Sequence, residues 1–285
     1  MAIGKTRQTR PNERSLDVDL GKPRGVLHPR LAEGDFKHAR RAPSPALGGL
    51  IEHYWYVSWD LRDLPPQQQE TLPHPNVHFV IEPGCTGIYG VHTGRFVRRL
   101  EGQGQVFGIK FKAGGFFPFY GAPVSELLNR SLDPSRVFGH EAARFVSDIF
   151  ASTDLDAMAT LAERLLLAHL PAADANVARA GELVASIASD HGLTSVDLLA
   201  QRSGLTKRTL QRLFNHYVGV GPKWVINRYR LHEAIAQLQA GIPVAWTELA
   251  LTLGYFDQAH FIRDFRKLVG RSPAEYAQAE GNLGG

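Results

Sequence analysis

The chain has 285 residues, a length that suggests two domains at about 100–200 residues each. It carries one cysteine, Cys85, so neither an intramolecular disulfide nor a multi-thiolate zinc site is expected, and a reducing cytoplasm fits. The net charge is only +4. No run of about 18 apolar residues is present, so no membrane-spanning helix is expected. No apolar stretch follows the basic residues at the N-terminus, which argues against a signal peptide.

The charge is unevenly spread. Residues 1–41 hold 10 basic and 5 acidic side chains, residues 42–175 hold 10 and 14, and residues 176–285 hold 12 and 9. A basic tail, an acidic middle and a basic C-terminal third suggest different tasks. Residues 1–41 lack apolar periodicity and read as a disordered tail.

Residues 42–170 read as a β-rich sensor or dimerisation domain. In Tyr54–Leu61, Trp55, Val57, Trp59 and Leu61 alternate with more polar neighbours. Val77–Glu82 precedes the Pro83-Gly84 turn signal, and Phe107, Ile109 and Phe111 alternate again. Helices are expected over Pro123–Asn129, Glu141–Phe150 and Leu155–Leu170, the last capped by Asp154 and serving either a dimer contact or its own sheet.

Three groups in this domain could carry chemistry. His74 and His78 have a metal-like look, but Pro75 prevents a helix from aligning them and no third ligand is well spaced; no metal or cofactor is expected. Cys85 sits in a turn without an adjacent cation in sequence, which disfavours a reactive thiol. Trp55, Trp59, Phe116, Phe117, Phe119 and Tyr120 could line an apolar effector pocket; alternating Trp55 and Trp59 fit a sheet core equally.

Residues 171–176 read as a linker, and 177–280 as entirely helical. Helices over Val177–His191, Ser195–Ser203, Lys207–Val218, Pro222–Ala240, Val244–Leu253 and Gln258–Val269 each end at a glycine. Trp224 and Trp246 are expected in the core. This third contains a repeat. Shifted by 51 positions, Arg212, Phe214, Val218, Gly219 and Pro222 fall on Arg263, Phe265, Val269, Gly270 and Pro273. Thr206 falls on Asp257, both good N-cap types. Each copy is helix, glycine turn, cap and helix, the sequence form of a helix-turn-helix.

Residues from about 176 to 280 resemble the DNA-binding domain of AraC/XylS-type bacterial transcription regulators. The resemblance rests on Gly204–Phe214, Gly219–Pro222, Arg228–Leu231 with Ala234, and Leu249–Phe265 followed by Val269–Pro273 and Tyr276. It implies an α+β protein: a β-rich N-terminal domain with flanking helices, then an all-α domain of two helix-turn-helix units joined by a long helix. The middle domain is similar to the N-terminal domain of a subgroup of these regulators, through Leu72–Phe79, Arg98–Gly102, Val106–Phe111 and Gly114–Phe119.

A recognition helix offers outward side chains to base edges in the major groove. Arg208, Gln211 and Arg212 are the expected base readers of the first unit, and Gln258, His260 and Arg263 those of the second. Ala259 and Ile262 are expected to face outward, where apolar groups can meet a thymine methyl, and Ala259 departs from a polar reader, which weakens base specificity in that second unit. Arg202, Lys207, Lys223, Arg230, Arg266, Lys267 and Arg271 are the expected phosphate contacts.

Double-stranded DNA is therefore the expected partner, bound without covalent chemistry. RNA polymerase, a small-molecule effector and a second copy of the chain are the further partners considered. Two other readings stay open: a thiol- or metal-dependent sensor or damage-response protein using Cys85 or His74 and His78, and a protein-interaction module in the middle domain.

Overall fold

The computed structural model describes residues 35–240 and 245–282. The expected disordered tail lies outside these residues up to position 34; the expectation fails at its end. Strand β1 (Asp35–Arg41) pairs antiparallel with β2 (Ile51–Leu61), from Asp35 opposite Asp60 to Arg41 opposite Tyr54. Pairing, not hydrophobicity, makes this charged segment a strand.

The remaining strands are β3 (Gln67–Thr71), β4 (His78–Ile81), β5 (Gly87–Tyr89), β6 (Phe96–Leu100), β7 (Gly102–Phe111) and β8 (Ser131–Leu132). Six form one antiparallel sheet in the order β1-β2-β7-β4-β5-β8; β3 and β6 form a separate ribbon. Cross-strand partners share a face. Tyr54, Tyr56, Phe79, Ile81, Ile88, Phe107, Ile109 and Phe111 face one side and are buried. That side packs on helices α1 (Phe117–Tyr120), α2 (Ser135–Phe138), α3 (Glu141–Phe150) and α4 (Leu155–Ala168). The side chain of Asp154 caps α4 by accepting from Ala157 N at 2.9 Å. Leu165 and Leu166 are buried in this core, so α4 packs on its own sheet. Pro123–Asn129, expected as a helix, holds only a 3₁₀ turn over Val124–Leu127.

The helical half comprises α5 (Ala175–Ser189), α6 (Val196–Ser203), α7 (Lys207–Leu213), α8 (Pro222–Gln239), α9 (Trp246–Thr252), α10 (Gln258–Val269) and α11 (Pro273–Asn282). The start of the expected helix Val244–Leu253 falls at the edge of the undescribed residues. The expected single helix Lys207–Val218 instead ends as a π-type turn over Phe214–Val218. Trp224 and Trp246 are half-buried at the edges of the cores, not inside them.

Two apolar clusters serve this half. One gathers Leu183, Leu193, Leu199, Leu210, Phe214, Val218 and Val225 around the first unit, together with Val91 and Ala113 from the sheet domain. The other gathers Leu231, Ile235, Leu249, Phe261, Phe265 and Tyr276 around the second, together with Leu72. The sheet domain is thus seated on both units.

Candidate nucleic-acid interface

The two units are built by the same local devices. Gly204 closes α6 at φ +67° and Gly254 follows α9 at φ +78°, a left-handed region that favours glycine. Thr206 Oγ1 then accepts from Thr209 N at 3.1 Å, and Asp257 Oδ1 accepts from His260 N at 2.7 Å. Each bond satisfies one of the orphan N–H groups at a helix start. Leu210 in α7 and Phe214 just past it, like Phe261 and Phe265 in α10, are fully buried, which turns the opposite stripes to solvent.

Lys207, Arg208, Gln211 and Arg212 on α7, and Asn215 in the turn that continues it, are all exposed. Gln211 Nε2 donates to Asn215 Oδ1 at 3.0 Å, one turn along the helix. Lys207 is ion-paired with Asp197, and Arg202 with Asp190. Both pairs are surface pairs of small net strength, so a phosphate competes with them readily.

On α10, Ala259 and Arg263 are exposed, while Gln258 and His260 are half-exposed. Gln258 Oε1 accepts from Thr247 at 2.8 Å, and His260 Nε2 stands 3.8 Å from Asp264. Ile262 departs from expectation: it leans onto the second core rather than outward. Lys223, Arg266, Lys267 and Arg271 are exposed, with Arg266 Nη2 3.5 Å from Glu275.

Arg230 corrects the phosphate set. It is 1 % exposed, so its guanidinium is inside the protein. Nη2 donates to Ile187 O at 2.6 Å and Asp190 O at 3.1 Å, and Nη1 to Glu233 at 2.8 Å. It closes the C-terminal end of α5 and ties it to α8. The sequence signal was its place in the helix: Arg230 lies one turn from both Ile226 and Ala234, which are buried. The Ser272-x-x-Glu275 spacing also encodes a capping box: Ser272 Oγ accepts from Glu275 N at 3.3 Å and Glu275 Oε2 accepts from Ser272 N at 2.6 Å.

The six aromatics of the expected effector pocket divide between the two faces of the sheet, with Phe116, Phe117, Phe119 and Tyr120 in or against the helix-side core. Trp59 belongs to a small cluster with Leu61 and Leu100, capped by Nε1 donating to Glu101 O at 3.2 Å. Phe116 is buried in the main core, with Phe119 and Tyr120 packed against it on the helix side of the sheet. Phe117 stacks near His216 and Tyr217, at 4.6 and 4.3 Å. Trp55 lies on the opposite sheet face, its ring over Gly108, and its buried Nε1 has no partner among the described residues.

His74 and His78 also part. His74 packs on His232 of α8 at 4.5 Å, whereas His78 lies on β4 beside Trp55. Cys85 does have a cation nearby, contrary to expectation. Arg98 Nη1 lies 3.6 Å from its sulfur because β6 returns alongside the turn, while the same guanidinium pairs with Glu82.

Known proteins resemble both halves. Residues 39–133 match a family described as Domain of unknown function (DUF6597), and residues 199–279 match one described as a Helix-turn-helix domain. A Proteus vulgaris protein described as "Probable transcription factor PqrA" is 32% identical over 83 residues, covering 29% of this chain and 67% of that protein. The HTH-type transcriptional activator RhaS of Escherichia fergusonii is 34% identical over 103 residues, covering 35% of this chain but only 36% of RhaS. The HTH-type transcriptional regulator MtrA of Neisseria gonorrhoeae is 28% identical over 87 residues, covering 30% of this chain and 29% of MtrA. The matched part thus spans about a third of the length of RhaS and of MtrA. A Vibrio cholerae ToxT structure with bound unsaturated fatty acid aligns over 86% of this chain and 95% of that one, at 10% identity and TM-score 0.35. No helix among the described residues is long and apolar enough to cross a membrane. The paired units and the extent of the match to PqrA place the chain in the AraC/XylS-type family of transcriptional regulators.

Proposed function

We propose that the chain is a sequence-specific DNA-binding regulator of transcription, acting in the cytoplasm without covalent chemistry. The observation that carries this reading is the pair of helix-turn-helix units whose outward stripes hold Arg208, Gln211 and Arg212 on α7 and Gln258, His260 and Arg263 on α10. Arginine pairs bidentately with guanine O6 and N7, and glutamine with adenine N6 and N7. Arg208, Arg212 and Arg263 are exposed, so their guanidinium groups are available to bases. Lys207, Arg202, Lys223, Arg266, Lys267 and Arg271 surround these stripes as phosphate contacts. The two recognition helices enter successive major grooves, about 10 base pairs apart. The first unit supplies most of the specificity, since Ala259 gives the second a non-polar position at the base edges.

Selection of sites from a random duplex library tests this. Arg208→Ala relaxes preference at one base position and costs about 1–3 kcal/mol, and Arg263→Ala relaxes it less. Equal relaxation sinks the division between units. A flat plot of log affinity against log salt sinks the DNA-binding reading itself.

The sheet domain is proposed to bind a small effector on the face away from its helices. The orphan Trp55 Nε1 supports this, beside His78 and with His53 and Lys110 on the adjacent row. Melting shifts across a panel of small molecules test it, and the absence of any shift favours a protein partner instead. RNA polymerase and a second copy of the chain remain the further proposed partners.

A further inference from the structure

A groove of about 520 Å³ runs along the outward face of α7. One wall is Arg208, Gln211, Arg212, Asn215 and His216; the other is Pro123 and Ser125 of the sheet domain. The second wall is firmly seated. A Cβ at Gly219, just past the recognition helix, would come within 2.9 Å of Val124 Cγ1 and 3.2 Å of Val124 O. Beside it, Phe117 packs on Tyr217, whose hydroxyl donates to Asp174 at 2.7 Å. The 3₁₀ turn therefore rests directly against the end of the recognition helix, and in this arrangement α7 brings the wall with it when it approaches DNA.

A helix with its side chains is about 10–12 Å across, and the major groove is about 12 Å wide. Anything seated against the flank of the helix lies over a phosphate backbone. The chemistry of the groove suits that neighbour. Two arginines and three polar side chains line the helix wall, and a hydroxyl stands on the turn wall. Glu126, the acid beside Ser125, is hydrogen-bonded to Tyr120 and is not among the residues lining the groove. A cationic wall facing a neutral hydroxyl fits a polyanionic strand.

We propose that one sugar-phosphate strand of the bound duplex runs through this groove, with the Ser125 hydroxyl donating to a phosphate opposite Arg212. The sheet domain is then part of the DNA interface. This rests on the DNA-binding reading. It gives the sheet domain a direct means of altering DNA affinity, because a shift at the Val124–Gly219 contact moves the Ser125 wall relative to the recognition helix.

The test uses the full chain and a duplex selected from a random library by the wild-type protein, with affinity measured against salt. The turn is closed by Leu128 N donating to the Ser125 carbonyl at 3.2 Å, so changes to the Ser125 side chain leave it intact; unfolding midpoints equal to wild type verify this. Ser125→Lys adds one neutralised phosphate, tightens binding and steepens the salt slope by about 0.9. Ser125→Glu weakens binding about tenfold at low salt, and Ser125→Ala by a few-fold. Unchanged affinity and slope in all three variants overturn the proposal. Tighter binding by Ser125→Glu also overturns it, because the turn then obstructs DNA. If Arg212→Ala weakens binding while the Ser125 variants do not, only this inference falls. If the wild-type protein shows no salt-dependent binding, the DNA-binding reading falls with it.

Discussion

Arg230→Met separates a structural arginine from a DNA-contacting one. Methionine keeps much of the stem but removes the donors to Ile187 O, Asp190 O and Glu233. Breaking a buried ion pair by removing one partner costs about 3–5 kcal/mol. Three features put this site at the low end. Glu233 keeps some solvent access and a contact with His191. Burial already holds the Arg230 guanidinium below its ordinary pKa, and its Nε has no hydrogen-bond partner among the described residues. The expected loss is therefore about 3 kcal/mol, which at a urea m-value of about 2 kcal/mol/M lowers the midpoint by about 1.5 M. Urea unfolding followed by tryptophan fluorescence measures it, since Trp224 and Trp246 report on the helical half. The salt slope of DNA binding by the folded variant stays at the wild-type value. A midpoint that does not move, together with a slope shallower by about 0.9, refutes the reasoning and returns Arg230 to the phosphates.

Two further predictions follow from single groups. Asp257 caps α10 with a carboxylate that stands where phosphates are expected. Asp257→Asn keeps the cap and tightens DNA binding in a titration, whereas Asp257→Ala costs about 1 kcal/mol in unfolding experiments. His53 and His78 are held neutral, with pKa values lowered to about 4 and about 3, by burial first and by the Lys110 charge second. The unfolded chain takes up protons below about pH 6.5 and the folded chain does not. Stability therefore falls as pH drops from about 6.5 toward 4, by at most about 1.4 kcal/mol per pH unit for each histidine, and is unaffected above that window. The urea midpoint measured across pH checks this, and His53→Asn flattens the slope.

The helical third was legible because its signals are local. A cap, a turn glycine and a 3.6-residue apolar period act within one turn of chain, and the 51-residue repeat states them twice. The sheet domain depends on distant pairings. Nothing in Gln67–Thr71 looks like a strand; it becomes one by pairing with Phe96–Leu100, itself half exposed. Asp35–Arg41 was hidden for the same reason, because its strand character comes from β2. Cys85 acquired its cation through the β6 return, thirteen residues away. The alternation in β2 correctly put Trp55 and Trp59 on one face, but no periodicity could assign Gly114–Tyr120 to a side of the sheet. Arg230 shows the converse failure: charge alone suggested the surface, while its helical position marked the core.

The sheet domain meets the two helix-turn-helix units by different chemistry, and this fixes which contact opens first. At the first unit, Val91 and Ala113 join the apolar core of α7. At the second, Leu72 is the buried apolar anchor and the rest is polar. Arg95 Nη1 bridges Glu70 at 3.2 Å and Val269 O at 3.3 Å, and His232 Nε2 lies 3.4 Å from Pro73 O. Arg228 donates from Nη2 to Thr93 O at 3.1 Å and lies over the Trp224 ring at 4.7 Å, but its Nε and Nη1 are buried without a hydrogen-bond partner among the described residues, and burial lowers its pKa to about 10. Opening the first contact exposes apolar surface to water, whereas opening the second rehydrates a guanidinium that the closed state leaves partly unsatisfied. Local opening is therefore easier at the second unit. Amide exchange is expected to be faster in α9 and α10 than in α5 and α7, and Arg228→Met, which keeps the bulk and removes the unsatisfied charge, to slow it. Protection in α10 that exceeds that of α7, or exchange unaltered by Arg228→Met, would show that the unsatisfied guanidinium does not set the order of opening.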